Sequence, residues 1–388
     1  MFKIQTLNKI SPNGLDCFDK KYFTYGDAIE NPDAVMVRSA SMHELDLPEN
    51  LKAIARAGAG VNNIPIDKCS EQGIVVFNTP GANANAVKEL VLAGLLLSSR
   101  KVINGIDWAK TLKGNGAEVG KMVEKGKGAF TGPEIAGKTL GVIGLGAIGI
   151  LVANAAISLG MNVYGYDPYI SVDAAWSLSS AIKHAKTLKD IYANCDYISI
   201  HVPLNNETRE MVCGESIATM KDGVRILNFA RGELVSSADI ITALQTGKVT
   251  AYVTDFPSDE VIGVDGVIAI PHLGASTPES EDNCAFMAAR ELIDFLEVGT
   301  IRNSVNLPNV DLDRTADKRV CVIHKNIPNI LAQISSCISK QNLNIENMVN
   351  KSKKDYAYTV LDVAADAIPE AAINDIKAID GVLRVRII

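Results

Sequence analysis

The sequence predicts an α/β protein with a doubly wound parallel sheet and a smaller C-terminal unit of a different design. Short apolar segments alternate with helical patterns along most of the chain, and this alternation favours parallel strands joined by crossover helices. A glycine-rich turn joins one of these strands to its helix. Residues 317–388 follow the order strand, helix, strand, strand, helix, strand, which is typical of a ferredoxin-like arrangement.

Three short strands and one long helix are predicted in the first part of the chain. Residues 34–37, 51–54 and 74–77 are apolar runs that end at turns, and residues 85–99 are apolar enough for a buried helix. Residues 110–127 are rich in glycine and lysine and have little periodicity. They predict a solvated loop or a ragged helix, to which no function is assigned.

The alternation is most regular between Gly137 and Val298. There the apolar runs predict strands separated by helices, at 138–143, 162–166, 197–200, 225–228, 250–253 and 267–270. Thr277 followed by Pro278 predicts the start of a helix that runs to about Val298. Asparagine, aspartate and proline are frequent beyond it and periodicity is weak, so residues 304–316 are predicted to be a linker.

Composition limits the class of protein and its partners. The chain has 388 residues and a net charge of −7, so neither nucleic acid nor an anionic membrane is an expected partner. The seven cysteines include no C-x-x-C pair and are expected to be reduced thiols, not disulfides or zinc ligands. The first residues lack a basic stretch followed by a long apolar run, so we expect a cytoplasmic protein without a metal site.

Residues 144–149 read GLGAIG and fit the pattern G-x-G-x-x-G of a dinucleotide-binding turn. The pattern follows a predicted strand and opens a predicted helix, and Asp167 ends the next strand 18 positions after Gly149. Free N–H groups at the start of that helix would face the pyrophosphate of the cofactor. A tight strand-to-helix turn in a fold that binds no nucleotide is the alternative.

Asp167 also predicts which cofactor binds. A carboxylate at this position accepts hydrogen bonds from the ribose hydroxyls and repels a 2′-phosphate. Residues 168–171 supply no arginine or lysine that would hold such a phosphate. NAD is therefore the expected cofactor, in preference to NADP.

Polar side chains at the predicted strand ends are the candidates for catalysis, because ligands bind beyond the carboxyl ends of parallel strands. His201 and His272 could each serve as the base that oxidation of an alcohol needs, although a structural role explains either histidine alone equally well. Arg231 could bind a substrate carboxylate in a bidentate pair or form a surface salt bridge. Asp255 and Glu260 follow the next strand and could support a histidine.

Together these segments resemble the D-isomer-specific 2-hydroxyacid dehydrogenases over most of the chain, from Ala34 to Thr300. The matching pieces occur in the family's order, at 144–149 with Asp167, 201–204, 228–232, 255–257 and 271–277. The resemblance implies a Rossmann-type NAD domain, a discontinuous flavodoxin-like substrate domain and a C-terminal ACT regulatory domain. Their expected bounds are 93–272 for the NAD domain, 1–92 with 273–303 for the substrate domain, and 317–388 for the ACT domain.

The resemblance also implies a role for each candidate side chain. Arg231 would bind the substrate carboxylate and the C2 oxygen, and His272 would take the hydroxyl proton while hydride leaves C2 for the nicotinamide. Glu260 would support His272, with Asp259 as the alternative, because residues 255–260 lack the family's usual Glu-Pro pair. The remaining positions would contact the cofactor, namely Gly144, Gly146, Ala147, Ile148, Gly149, Asp167, His201, Val202, Pro203, Thr208, Phe229, Ala230, Asp255, Gly274 and Ala275.

Two segments resemble the substrate side of family members that oxidise 3-phosphoglycerate, and they contribute Arg38, Ser39, Arg56, Ala57 and Gly58. That substrate carries a carboxylate and a phosphate, and the arginines would supply the local positive charge that the acidic chain lacks overall. Another 2-hydroxyacid, such as 2-hydroxyglutarate, is the nearest alternative substrate. A non-enzymatic NAD-sensing protein similar to a transcriptional corepressor is the alternative from another class.

The C-terminal unit resembles ACT domains, which bind small regulatory molecules. In serine-regulated relatives, residues at the positions of His324, Asn326 and Asn344 bind L-serine across a dimer interface. Serine is the end product of the pathway that oxidation of 3-phosphoglycerate would open. This chain has Asn329 where those relatives have glycine. The alternative is a unit that only assembles the oligomer, for which the resemblance implies a homodimer or a homotetramer.

Overall fold

The computed structural model describes residues 1–388, and its contacts divide the chain into two compact units. Unit 1 contains Met1–Asn83 and Pro278–Ile388, and unit 2 is the continuous segment Ala84–Thr277. Unit 2 begins earlier than the predicted NAD domain because the helix over Ala84–Ser99 packs on the helix that follows the glycine turn. Unit 1 is therefore discontinuous along the chain, and unit 2 is inserted into it.

The first sheet belongs to unit 1 and has five parallel strands. Its strands are β1 (Phe2–Leu7), β2 (Phe23–Gly26), β3 (Ala34–Val37), β4 (Ala53–Arg56) and β5 (Val75–Asn78), in the order β2-β1-β3-β4-β5. Two short helices connect them, α1 (Pro12–Leu15) and α2 (Ile66–Glu71). Every residue of β3 is buried, because apolar clusters cover both faces of the sheet.

The sheet of unit 2 has seven strands and is parallel throughout. Its strands are β6 (Thr139–Ile143), β7 (Asn162–Tyr166), β8 (Lys183–His184), β9 (Tyr197–Ile200), β10 (Val224–Asn228), β11 (Val249–Thr254) and β12 (Val267–Ala269). They lie in the order β12-β11-β10-β9-β6-β7-β8. The connections run in opposite directions from β6 and β9, so a ligand crevice is expected at the carboxyl ends of these two strands.

Helices cover both faces of this second sheet, so the doubly wound α/β fold is confirmed. They are α3 (Ala84–Ser99), α4 (Val102–Thr111), α5 (Val119–Gly126), α6 (Ala147–Ser158), α7 (Val172–Trp176), α8 (Leu188–Asn194), α9 (Gly214–Ala218) and α10 (Ser237–Gln245). Side chains of α3 and α6 pack on one face, and side chains of α8, α9 and α10 pack on the other. Helices α4 and α5 bury no side chain, which agrees with the solvated segment predicted there. No helix in either unit has the length and apolar character that a membrane span needs.

The chain returns to unit 1 through α11 (Pro278–Ile293), and a π-helical turn over Asp294–Val298 ends at Gly299. A four-stranded antiparallel sheet follows, with β13 (Lys318–Lys325), β14 (Asn344–Lys353), β15 (Tyr356–Ala364) and β16 (Val382–Ile387). The strand order is β14-β15-β13-β16, and α12 (Ile330–Ser339) and α13 (Glu370–Lys377) pack on one face. This C-terminal sheet has the predicted ferredoxin-like order.

The other face of the C-terminal sheet shares an apolar cluster with the first sheet. Arg386 of β16 donates to the carbonyls of Phe295 and Leu296, at 3.2 and 2.8 Å. Arg384 donates to the carbonyl of Leu51, in the segment that precedes β4. The C-terminal sheet is thus attached to the rest of unit 1 by apolar packing and by hydrogen bonds to backbone carbonyls.

A fully buried ion pair strengthens this attachment. Arg319 and Asp362 lie on the adjacent strands β13 and β15, and both side chains have 0% exposure. The guanidinium donates to the two carboxylate oxygens at 2.7 and 2.9 Å. It also donates to the carbonyls of Val298 and Leu312, at 3.0 and 2.9 Å. One side chain therefore joins the C-terminal sheet to the end of the π-helical turn and to the segment before β13.

Residues 304–310, the first part of the predicted linker 304–316, are packed on the first sheet. The Asn306 side chain accepts a hydrogen bond from the Val76 backbone N–H at 2.9 Å and donates to the Ile74 carbonyl at 2.9 Å. Val310 forms an isolated bridge with Ile301, and both are buried. The sequence of this segment has weak periodicity because single side chains hold it on the sheet and it forms no helix or long strand.

Candidate active site

The glycine turn joins β6 to α6 and depends on close approaches of the backbone. Gly144 has a φ of 91°, and a Cβ atom added there would lie 2.5 Å from the carbonyl oxygen of His201. A Cβ atom on Gly149 would collide with the carbonyl oxygen of Gly144, whereas one on Gly146 would meet nothing within 4 Å. Because the helix start is open where the pyrophosphate of a dinucleotide would lie, these residues fit NAD.

Asp167 follows β7 and lies beside the glycine turn. Its carboxylate accepts hydrogen bonds from the backbone N–H groups of Leu145 and Tyr169, both at 2.8 Å. Each carboxylate oxygen has a further lone pair that could accept a ribose hydroxyl. The anionic group expected to select NAD is therefore held in one orientation by the backbone.

Asp167→Ala is expected to lower kcat/KM for NAD by about tenfold to a hundredfold, because a charge-assisted hydrogen bond contributes about 1.5–3 kcal/mol. The same change should reduce the preference for NAD over NADP. Steady-state kinetics with both cofactors measures these effects. Asp173→Ala, in the neighbouring helix α7, is the matched control for loss of an exposed carboxylate. Equal catalytic efficiency of the unchanged protein with NAD and NADP would contradict the assignment.

His201 follows β9 and contacts the glycine turn through its backbone. Its Nε2 atom pairs with the Ser199 hydroxyl at 2.8 Å, and its buried Nδ1 atom has no hydrogen-bond partner. Burial lowers the pKa of His201 to about 4, so the ring is neutral at pH 7 and is a weak base. An unpartnered buried nitrogen at this position fits a contact with the cofactor better than proton transfer.

The other expected cofactor contacts of unit 2 follow the same strand ends. Thr208 donates its hydroxyl to the Pro203 carbonyl at 2.7 Å, and this bond closes the turn after β9. Phe229 is buried against α3, where its ring limits the space around Gly94. The remaining positions lie in the first turn of α6 and in the segments after β9, β10 and β12, and they are Ala147, Ile148, Val202, Ala230, Gly274 and Ala275.

Arg231 and His272 both contact the ring of Phe256. The guanidinium carbon of Arg231 lies 5.6 Å from the centroid of that ring, and the His272 ring centroid lies 4.5 Å from it. The three residues follow β10, β11 and β12, which are adjacent in the sheet. Buried Asn228 fixes the backbone of Arg231, because its side-chain amide donates to the Arg231 carbonyl at 2.8 Å. Phe256 was not among the residues predicted from the sequence, although its position directly after a strand end was a usable signal.

Asp255 supplies a buried carboxylate beside these groups. Its backbone carbonyl accepts the His272 N–H at 3.0 Å, and its side chain accepts the Gly274 N–H at 3.2 Å. Burial raises the pKa of Asp255, and the positive charges of His272 and Arg231 oppose that rise. The second carboxylate oxygen is buried without a hydrogen-bond partner. The structure therefore brings Arg231, His272 and Asp255 into one electrostatic cluster.

The two carboxylates expected to support His272 lie elsewhere. Asp259 and Glu260 are exposed in the turn after Phe256, and neither forms a hydrogen bond with His272. Val261, the next residue, is buried in the core of unit 2. Burial of Val261 leaves the two acidic side chains on the solvent side of the turn, so their assignment as supports of His272 stays a prediction.

The remaining substrate-side candidates lie in unit 1, after β3 and at the end of β4. The Arg38 guanidinium forms a salt bridge with Glu281 at 2.7 Å, and the two side chains are 41% and 44% exposed. The Nε atom of Arg56 donates to the Arg38 carbonyl at 3.0 Å. A Cβ atom on Gly58 would lie 2.5 Å from the Arg56 guanidinium, so the glycine leaves room for this arginine. The other two positions in this group are Ser39 and buried Ala57.

Two of the expected effector residues lie at one end of the C-terminal sheet. His324 is buried, with Nδ1 2.7 Å from the Lys325 carbonyl and Nε2 2.8 Å from the Thr359 hydroxyl. Asn326 is exposed and donates its amide to the Lys354 carbonyl at 3.2 Å. An effector at this end would therefore meet Asn326 directly, whereas both ring nitrogens of His324 already have partners within the chain.

The third expected effector residue lies at the other end of the sheet. Asn344 begins β14 opposite Ala364, whereas His324 is opposite Ala357, near the start of β15. One copy of the chain thus does not bring Asn344 to His324. Asn329 has a φ of 67°, a left-handed conformation that asparagine tolerates better than most residues. Asn329 thus adopts a backbone conformation that glycine also adopts readily.

Comparison with known proteins reveals the family. Residues 93–274 match the domain described as D-isomer specific 2-hydroxyacid dehydrogenase, NAD binding domain. The D-3-phosphoglycerate dehydrogenase of Haemophilus influenzae is 32% identical over 378 residues, which cover 93% of this chain and 88% of that protein. The chain belongs to the D-isomer-specific 2-hydroxyacid dehydrogenase family. Residues 93–274 are the NAD-binding domain of this family member, and its cofactor is NAD.

Two further members of the family are similar over most of this chain. The D-3-phosphoglycerate dehydrogenase of Methanocaldococcus jannaschii is 33% identical over 340 residues, which are 85% of this chain. This chain spans 62% of that relative, less than two thirds of its length. The crystal structure of NAD+-bound 3-phosphoglycerate dehydrogenase from Entamoeba histolytica is 27% identical with a TM-score of 0.60, and the match covers 79% of this chain and 98% of that one.

Proposed function

We propose that this protein is an NAD-dependent dehydrogenase that oxidises 3-phospho-D-glycerate to 3-phosphohydroxypyruvate, the first step of serine biosynthesis. The observation that supports an oxidoreductase most directly is the cluster of Arg231, Phe256 and His272 after three adjacent strands of the NAD-binding domain. The names of the related proteins support the choice of substrate. The fold alone does not select a substrate, since one fold carries many activities.

Each group of the cluster has a defined task in the proposed reaction. Arg231 binds the substrate carboxylate in a bidentate pair and donates to the C2 oxygen. His272 takes the proton of the C2 hydroxyl, and buried Asp255 stabilises the imidazolium that forms. Phe256 packs against one side of both groups and limits the orientations of their side chains. NAD, when bound, accepts the hydride that leaves C2.

Steady-state assays with NAD and a panel of acids test this proposal. The panel contains 3-phosphoglycerate, 2-hydroxyglutarate and D-lactate, and we expect the highest kcat/KM with 3-phosphoglycerate. A higher value with 2-hydroxyglutarate would replace the proposed substrate with its nearest alternative. Absence of turnover with every acid, together with intact NAD binding, would favour a non-enzymatic NAD-sensing protein.

Arg56→Ala is expected to reduce kcat/KM for 3-phosphoglycerate about tenfold to a hundredfold more than for D-lactate. The reason is that Arg56 would pair with the phosphate, and a charge-assisted hydrogen bond contributes about 1.5–3 kcal/mol. Arg38→Ala is the comparison variant and should have a smaller effect, because the Arg38 side chain is 41% exposed and solvent screens its charge. An unchanged ratio of the two substrates in Arg56→Ala would show that the phosphate binds elsewhere.

We further propose that the C-terminal unit is an ACT domain that binds L-serine between two copies of the chain. Strand β14 has ten residues and lies at an edge of the C-terminal sheet, so the backbone groups on its outer side are open to pairing. A second copy that adds its own β14 in the antiparallel direction would bring its Asn344 toward the end that holds His324 and Asn326. This arrangement assembles the three residues that one chain keeps apart, and it supports a homodimer or a homotetramer.

Calorimetric titration with L-serine tests this regulatory proposal. Asn344→Ala is expected to remove serine binding and, in parallel, inhibition by serine, because a side-chain amide both donates to and accepts from the amino acid. Asn347→Ala, on the same strand, is the matched control, and glycine is the control ligand. No heat of binding with serine at about 1 mM, where a Kd of that order corresponds to about 4 kcal/mol, would reject regulation at this site.

A further inference from the structure

A polar cavity of about 830 Å³ lies within unit 1 and is lined by none of the residues assigned above. Its walls are the end of β5, the segment 303–309 and the last four residues of β14. Eight of the ten lining residues are polar, two of these are lysines, and none is a carboxylate. They are Asn78, Asn303, Ser304, Val305, Pro308, Asn309, Asn350, Lys351, Ser352 and Lys353.

The two lysines give this cavity a positive charge that no partner in the chain neutralises. Lys353 reaches across the cavity and donates to the Ser304 carbonyl at 2.9 Å, which leaves two ammonium hydrogens for a ligand. Burial, and then the charge of Lys354, lowers the pKa of Lys353. Neither Lys351 nor Lys353 forms a salt bridge within the chain. The chain as a whole has a net charge of −7, whereas the wall of this cavity is positively charged.

The asparagine side chains of the wall are held by other hydrogen bonds. The side-chain amide of Asn350 pairs with the Thr359 hydroxyl at 2.8 Å. Asn78 donates its amide to the Ala59 carbonyl at 2.6 Å. Because these bonds set the amide orientations before any ligand arrives, the wall presents hydrogen-bond donors at little entropic cost.

We propose that this cavity binds a small anion that carries carboxylate or phosphate groups. The ammonium groups of Lys351 and Lys353 would neutralise its charge and donate to its oxygens. The absence of carboxylates from the wall and the presence of two lysines disfavour cationic ligands. This site is separate from the proposed chemistry of unit 2, and its test does not depend on turnover.

Isothermal titration of the full chain with citrate and with inorganic phosphate tests the site. The decisive variant is Lys351→Gln/Lys353→Gln, and Lys354→Gln is the matched control, because Lys354 has the same charge but does not line the cavity. We expect the double variant to raise the Kd of citrate about tenfold, because it removes both ammonium charges that would face the ligand. Lys354→Gln should change that Kd by about twofold or less.

Arg56→Ala provides the control for anion binding at the proposed substrate position. If phosphate binds in the cavity, its Kd should depend on Lys351 and Lys353 and should persist in Arg56→Ala. Two results would overturn the proposal. One is the absence of binding by either anion at about 10 mM, which corresponds to less than about 3 kcal/mol. The other is equal weakening by Lys354→Gln and by the double variant, which would indicate only a general attraction to surface lysines.

Discussion

Replacing His272 with alanine is expected to lower kcat by about two to four orders of magnitude, the usual contribution of a positioned acid–base group. The ring of His272 lies against Phe256, and its backbone N–H is held by the Asp255 carbonyl at 3.0 Å. Loss of the imidazole therefore removes the proton acceptor without removing the contacts of the backbone. Stopped-flow and steady-state kinetics with NAD and 3-phosphoglycerate measure the effect.

Three further variants separate the roles within this cluster. His201→Ala should act mainly on the KM for NAD, because its ring is neutral and lies at the glycine turn. Arg231→Ala should damage both kcat and KM, since it would contact the ground state and the transition state. Asp255→Asn should reduce kcat more than Glu260→Gln, because the Asp255 carboxylate is buried beside His272 whereas Glu260 is exposed. Loss of turnover in His201→Ala with activity retained in His272→Ala would reverse the assignment of the base.

Replacing Asp362 with alanine is expected to destabilise unit 1 by about 3–5 kcal/mol, the typical cost of removing one partner of a buried ion pair. The guanidinium of Arg319 would then be a fully buried charge that keeps only its bonds to two backbone carbonyls. Asp362 also accepts the Thr315 N–H at 2.9 Å, so the segment before β13 would lose an anchor as well. Urea unfolding followed by circular dichroism measures the loss.

Two matched variants make this stability prediction specific. Glu118→Ala removes one partner of an exposed pair whose side chains are 79% and 64% exposed, and it should cost about 0.5 kcal/mol or less. Arg319→Met/Asp362→Leu replaces both charges with apolar side chains and should recover much of the stability lost in Asp362→Ala. A loss below about 1 kcal/mol in Asp362→Ala would mean that water or a rearranged side chain neutralises Arg319.

The sequence predicted those parts of the fold that depend on local patterns. The glycine turn was predicted because its residues, its strand and its helix are adjacent in the chain. Strand β2 was missed, because its residues FTYG include Thr24 and Gly26 and do not form an apolar run like that of β3. Strand β1, Phe2–Leu7, was missed because the polar residues Lys3, Gln5 and Thr6 interrupt its apolar pattern.

The parts of the site that escaped prediction depend on contacts between distant residues. Nothing in the sequence indicates that Arg38 is paired with Glu281, which lies 243 positions later. The burial of Val261, which leaves Glu260 in solvent, is a property of the folded core and not of the local pattern. In the same way, Arg319 and Asp362 resemble the polar residues of half-exposed strands, and only the packing of the C-terminal sheet on the first sheet buries them.

The discontinuity of unit 1 separates the order in which the chain is synthesised from the order in which its cores can form. Residues such as Ile4, Met36 and Phe77 are buried in a cluster that also needs Leu292 and Phe295. During synthesis from the N-terminus, one face of the first sheet therefore stays exposed until α11 has been synthesised and has left the ribosome. Unit 2, Ala84–Thr277, is continuous and has all of its partners before that point. The NAD-binding domain of a nascent chain can thus fold first. The N-terminal segment of unit 1, Met1–Asn83, completes its core only after the C-terminal segment, Pro278–Ile388, has been synthesised.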